Sequence, residues 1–437
     1  MWAHAEAMRL RAAAVEAHRR AADGVERERY GLLLELATDA AYAGHWTQVE
    51  DAAIEAIGLG RSLGSPALMG QAASTLTRYC VWVPHDQGVV LEDVIEDLRW
   101  ALLRTPDDDP AARCRLQLTL AVELYYVADA SAERRALVDT GLALARKVGD
   151  PELTWWAMRT AWMACWAPPF LPERMGWVTE GLAAAREAGD PAAEAVLLTT
   201  LAVDELALGR VDRWEELSTA AVTIARRERL PYVMFTVHWV RMTLAAMRDD
   251  REAVDAQLAG LATTSREVAV PMAEVHPPAA AMVSSLWNGT VAETVAPMLD
   301  VFERTGEATE AVFQMLARAG RVDDLRRLLA STQHRPGEAL WSLVTDWCME
   351  VEAAAAVGDV DLAREGLEAL APYADRISVA GAAACFGPVS GYLALAAATV
   401  GDRAAAAQYA TAARDTATRW GWVAYVSWLD DALARLD

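Results

Sequence analysis

Lysine is almost missing from this sequence: Lys147 is the only one in 437 residues. Schiff-base chemistry would have to use it, yet it falls in the last turn of an expected helix, where the helix dipole favours a cation. No Gly-Lys dipeptide occurs, so the GxxxxGK[ST] phosphate loop is absent. The five cysteines, Cys80, Cys114, Cys165, Cys348 and Cys385, are scattered and include no CxxC pair. That spacing excludes a disulfide framework and points to a reducing cytoplasm. Glu6, Arg9, Arg11, Glu16, Arg19 and Arg20 interrupt the N-terminus, so no signal peptide is legible there. The seven histidines form no HExxH and no zinc-spaced cluster with cysteine, and no metal or other cofactor is expected. Basic charge is short as well, with 40 Lys and Arg against 62 Asp and Glu, a net −22. A field of that sign repels phosphate backbones and anionic headgroups, so direct nucleic-acid and membrane partners are not expected.

What the chain has in excess is small apolar residues. Hydrophobic residues make up 54% and aromatics only 7%, so much of the excess is alanine, the best helix former. A helix stop and start is written three times, as Leu63-Gly64-Ser65-Pro66, Val148-Gly149-Asp150-Pro151 and Ala188-Gly189-Asp190-Pro191. Glycine takes the left-handed C′ conformation, Ser or Asp caps the next helix, and Pro suits its first turn. A second mark falls at Ala43-Gly44, Leu208-Gly209, Ala319-Gly320, Val357-Gly358 and Val400-Gly401. Three of these continue alike, as Gly209-Arg210-Val211-Asp212, Gly320-Arg321-Val322-Asp323 and Gly358-Asp359-Val360-Asp361, with Asp placed to cap the second helix of a pair. Two helices in roughly forty residues is the period of helical-hairpin arrays. Apolar positions agree, with Leu137, Leu144 and Val148 on one helical face and Leu217, Ala221 and Ile224 on another.

The expected fold is therefore all-α, one solenoid of roughly ten helix pairs over residues 1–437. Residues 1–23 read as one helix of an incomplete first repeat, without the polar outer face of a cap, as though a segment preceded them. Residues 268–288, with Pro271, Pro277 and Pro278, read as an irregular interruption. No stretch shows sustained strand alternation. Ile377 to Val400 carries no charge, but Gly381, Gly387, Pro388 and Gly391 interrupt it, so it reads as a loop and a buried helix rather than a membrane span.

Catalytic look-alikes are weak. Gly60-Arg61-Ser62-Leu63-Gly64 spells GxSxG, but Ser62 closes a helix, whereas a nucleophile elbow needs a strand before it. Asp107-Asp108-Asp109-Pro110 reads as a helix cap before a cation site. His238, beside Trp239, reads as a structural histidine. Asn288-Gly289-Thr290 fits a glycosylation sequon that a cytoplasmic location leaves idle. The chain is not expected to be an enzyme.

With the repeats laid out, the chain resembles the C-terminal tetratricopeptide-like region of large actinobacterial signal-transduction ATPases, including transcriptional regulators of the LuxR and SARP types. The resemblance rests on Ala121-Val122-Glu123-Leu124-Tyr125-Tyr126, on Leu144 to Trp166 and Trp166-Ala167-Pro168, and on the tail. In the tail it is carried by Pro372-Tyr373-Ala374-Asp375-Arg376, by Ala382 to Val389 and by Tyr392-Leu393-Ala394-Leu395-Ala396-Ala397. It implies a right-handed superhelix that senses a ligand or protein for attached ATPase and output domains, neither of which this chain contains.

Seventeen tryptophans are the most informative chemistry. Trp155, Arg159, Trp162 and Trp166 share one helical stripe. In the arrays that the chain resembles, first helices line the concave side. By that placement the candidate ligand-binding residues are Arg78, Trp82, Glu123, Tyr126, Arg159, Trp162, Trp166, Glu205, Phe235, Trp239 and Arg241. Such a face suits a peptide, a protein partner or a small amphipathic ligand, through stacking and charge-assisted hydrogen bonds. The competing reading is that these aromatics fill gaps between alanine-rich helices. The functional expectation is a regulatory sensor module. A passive interaction scaffold, and an enzyme or sequestering protein for a hydrophobic natural product, stand as alternatives.

Overall fold

The computed structural model describes residues 2–21, 25–82, 85, 88–269, 276–296, 299, 310–331 and 340–436. Among them the chain is built almost wholly of α-helices. The first are α1 (Trp2–Arg20), α2 (Glu26–Ala43), α3 (Trp46–Ser62), α4 (Pro66–Ala73), α5 (Glu92–Leu102), α6 (Pro110–Glu123) and α7 (Ser131–Val148). There follow α8 (Pro151–Ala164), α9 (Leu171–Ala188), α10 (Pro191–Ala207), α11 (Val211–Glu228), α12 (Pro231–Met247), α13 (Arg251–Thr264) and α14 (His276–Asn288). After a helical segment at 291–296 come α15 (Glu310–Arg318), α16 (Val322–Ser331), α17 (Leu343–Val357), α18 (Val360–Leu370), α19 (Val389–Thr399), α20 (Arg403–Arg419) and α21 (Val423–Ala434).

The punctuation read from the sequence is the physical cause of these boundaries. Gly64, Gly149 and Gly189 have φ of 62°, 70° and 67°, the left-handed region in which a side chain is strained. Ser65 Oγ accepts from Leu68 N, Asp150 Oδ2 from Leu153 N at 2.7 Å, and Asp190 Oδ1 from Ala193 N at 2.9 Å. Asp109 caps α6 in the same way, through Ala112 N at 3.0 Å. The second mark needs one correction. Because α11 and α16 begin at Val211 and Val322, Arg210 and Arg321 stand at the cap position. Asp212 and Asp323 lie in the first turn, where their charge meets the positive end of the dipole. Only Asp359 of that set caps by side chain, accepting from Asp361 N at 3.1 Å and Leu362 N at 3.0 Å. Replacing Asp150 with alanine is expected to cost about 1 kcal/mol, read as a lower denaturation midpoint. A variant indistinguishable from the parent would remove that role.

The helices gather into two compact units. The first comprises Met1–Ala202, Glu216–Phe235 and Thr263–Glu274, and the second Val203–Glu215, Thr236–Ala262 and Val275–Asp437. In the first, α2 packs on α3, α6 on α7 and α8 on α9 as hairpins, while α4, α6 and α8 stack on one another. In the second, α17 packs on α18 and α19 on α20, with α15, α17 and α19 stacked. Alternate helices therefore bury each other's apolar faces, the packing of an α-solenoid.

Two local expectations change. Within 268–288, residues 276–288 are helical despite Pro277 and Pro278, because proline is tolerated in a first turn where its missing N–H has no partner to lose. Pro271 lies outside the described residues. The uncharged stretch after Arg376 contains a short antiparallel hairpin, β1 (Ile377–Ala380) with β2 (Ala384–Pro388), carrying a bulge at Ser378/Val379. Strand β2 is buried along its whole length, so it carries no in-and-out alternation for a sequence pattern to reveal. Tyr392 and Tyr425 donate to the Phe386 and Pro388 carbonyls at 3.0 and 2.8 Å and tie the hairpin to α19 and α21. A Cβ on Gly387 would meet the Tyr425 ring at 2.4 Å, so glycine is required there for space as well as for its φ of 88°. No helix among the described residues is long and apolar enough to cross a membrane.

Candidate functional site

Most of the residues expected on a ligand-lined face are inside the packing. In the first unit, Arg159, Trp162 and Phe235 are 0% exposed, Glu123 3% and Trp166 5%. Arg78, Trp82 and Tyr126 are half-buried. The predicted stripe does come together: Trp162 and Trp166 lie 4.8 Å apart, and the guanidinium groups of Arg159 and Arg174 sit 4.7 and 5.1 Å from the Trp162 ring. Arg159 also donates to the Cys80 carbonyl. Trp82 meets Tyr232 and Phe235 edge-on at 5.5 and 5.9 Å, and Tyr126 meets Tyr125 at 5.0 Å. In the second unit, Trp239 is 3% exposed, Glu205 accepts from Arg210 at 2.9 Å, and Arg241 is half-buried. The stripe is thus engaged in contacts within the protein. A tryptophan face suits alanine-rich helices as well as it suits a ligand.

Arg78 belongs to a different arrangement, a row of rings across the first unit. His4 stacks on Tyr42 at 4.8 Å, Tyr42 lies 4.8 Å from Tyr79, and Tyr79 stacks on Trp155 at 5.7 Å. Arg78 sits 5.2 Å from the Trp155 ring and pairs with Glu152. Tyr79 donates to Asp190 Oδ2 at 3.0 Å, so the residue that caps α10 also anchors the row.

Glu123 has a partner that sequence reasoning left dispersed. The His85 ring nitrogens lie 3.0 Å from Glu50 Oε2 and 2.9 Å from Glu123 Oε2, and the His85 and Glu123 side chains are 3% and 0% exposed. Burial opposes the charge on His85, but the two carboxylates more than offset it and push the imidazole up to about 10. His85 is therefore a fixed cation that joins α3 to the end of α6.

The second unit holds an arrangement that the sequence reading missed altogether. Arg318, on α15, lies between two indoles, its guanidinium 4.3 Å from the Trp287 ring centre and 4.4 Å from that of Trp428. Glu352, on α17, receives Arg318 Nε at 2.7 Å and Nη2 at 3.2 Å, Trp428 Nε1 at 2.9 Å and Gln314 Nε2 at 2.8 Å. Arg318 Nη1 donates to the Leu286 carbonyl at 3.0 Å, at the end of α14. The Arg318 and Glu352 side chains are only 4% and 6% exposed. Five helices converge here, and the spacing of α15, α17 and α19 is the repeat itself: Gln314 and Glu352 are 38 residues apart, and Gln314 and Tyr392, which also touch, are 78. A search for polar residues at forty-residue offsets is the signal that could have found them.

This cluster forms the wall of a surface groove of about 560 Å³, lined by Trp287, Arg318, Val423, Trp428, Asp431 and Arg435 with the α12–α13 turn at Asp249 and Arg251. Arg318 and Arg435 also line an adjoining basin of about 190 Å³. Asp249, Arg251 and Asn288 also line another, of about 140 Å³. Val423 is 58% exposed and Trp428 half-buried, so apolar surface is presented to the groove.

Stacked hairpins with an aromatic, arginine-lined groove define an all-helical repeat protein. No family model matches the chain, and no curated protein matches it. Among solved structures it is similar to a circular tandem repeat protein with novel repeat topology and enhanced subunit contact surfaces. That similarity has 16% identity and a TM-score of 0.16, over 98% of this chain and 89% of that one.

Proposed function

We propose that this protein is a binding module that receives a segment of a partner protein in the groove of its second unit. The observation that carries this reading is the groove itself: adjoining basins along one surface, with exposed Val423, half-buried Trp428 and arginines beside them. Elongated grooves with an aromatic wall and polar rim are the surfaces on which extended segments dock. The wall is preorganised, because Glu352 and the two indoles hold Arg318 before any ligand arrives, which lowers the ordering cost of binding. Binding rather than catalysis is the proposed activity, and the sequence resemblance supports a sensing role in a cytoplasmic signalling or transcriptional regulator.

Selection of a displayed random peptide library against the full chain tests the reading. Enriched peptides are expected to slow amide exchange over 423–434 and to lose binding when exposed Ser427 is replaced by tryptophan. Peptides that bind with those residues unchanged would place the partner site elsewhere.

A further inference from the structure

We infer that the groove takes a dipolar segment, in which an apolar or aromatic side chain separates a carboxylate from a cationic side chain. This rests on the reading of the groove as a protein-binding site and adds the chemistry of its occupant. The two basins that adjoin the groove differ in charge. One joins the groove at Arg318 and Arg435, which line both. The charge of Arg318 is answered internally by Glu352. Arg435 is exposed at the C-cap that follows α21, one turn past Asp431, which also lines the groove, and it forms no ion pair among the described residues. In a chain of net charge −22, an arginine without an ion-pair partner beside the Val423 and Trp428 wall is a directed carboxylate receptor.

The other basin carries the reverse sign. Asp249 lines the main groove and this basin, where Asp250 and Asp255 join it with Arg251 as the one cation. Arg251 lies 3.8 Å from Asp249 and answers at most one of the three carboxylates. Asp250 also spends one oxygen capping α13 through Ala253 N at 3.0 Å. A cationic side chain suits this basin, and the Val423 and Trp428 wall suits an apolar anchor.

The test uses the full chain and blocked synthetic peptides with one glutamate, a central phenylalanine and one arginine, separated by one to three glycines. Binding is read from tryptophan fluorescence. The dipolar peptide is expected to bind about 10-fold or more tightly than its glutamine and citrulline counterpart, with the advantage shrinking as salt rises. Arg435→Glu is expected to cost a similar factor, and a peptide with lysine in place of the glutamate should restore binding to that variant. Since Arg435 is exposed, the variant tests charge without disturbing the core. Equal binding of charged and neutral peptides, or no rescue by the swapped peptide, overturns the charge assignment while leaving the groove a binding site. Failure of every peptide, together with library peptides that ignore the groove, overturns the underlying reading as well.

Discussion

Replacing Glu352 with alanine is expected to destabilise the second unit by about 3–5 kcal/mol. One carboxylate there answers the Arg318 guanidinium, the Trp428 indole N–H and the Gln314 amide, and both charged side chains are almost fully buried. Its loss strands a cation between two indoles without a counter-charge. The aromatic faces attract that cation by about 2 kcal/mol each, but they cannot replace the counter-charge and hydrogen bonds of the carboxylate. The double replacement Glu352→Met with Arg318→Met should cost less than Glu352→Ala alone, since no unpaired charge then remains. Chemical denaturation measures both. A single variant within about 1 kcal/mol of the parent, or a double variant no better than the single, would show that the pair does not carry the wall. A wall that survives intact would also weaken the argument that the groove is preorganised for its partner.

His85→Ala is expected to cost the first unit a comparable amount, about 3–5 kcal/mol, by leaving the Glu123 carboxylate buried without its cation. This loss should depend on pH. The folded imidazole is held up at about 10, against about 6.5 in an unfolded chain. A raised folded value means that the native state binds the proton more tightly. The resulting stability is fully present below about pH 6.5 and is lost as pH rises through about 10. The gap between parent and variant should therefore be widest near pH 6 and narrow by pH 10, measured as denaturation midpoints across that range. A gap that widened with pH would reverse the assignment of His85 as the fixed cation.

The two sites were legible to different degrees, and particular residues show why. Glu123 was expected on a binding face, whereas His85 was only one of seven histidines that form no motif. Their pairing spans 38 residues, nearly one repeat, and only stacked helices bring such residues together. Gln314 and Glu352 have the same offset in the second unit. Trp428 lies 76 residues from the carboxylate it donates to, almost two repeats. The forty-residue period thus contained these contacts in principle. It could not say which face of each helix turned inward, because alanine-rich helices offer small apolar residues on several sides.

What the sequence determined by itself is the punctuation and the class of fold. A left-handed glycine, a capping Ser or Asp and a first-turn proline act on their own few residues, so Gly149-Asp150-Pro151 ends one helix and starts the next without regard to the surroundings. The tertiary structure decided what each tryptophan is for. The apolar area of an indole is satisfied equally by a packed helix or by a groove that awaits a partner. Trp162 therefore became fully buried core. Trp428, with its N–H fixed on Glu352 and part of its ring left open, became the wall of a groove.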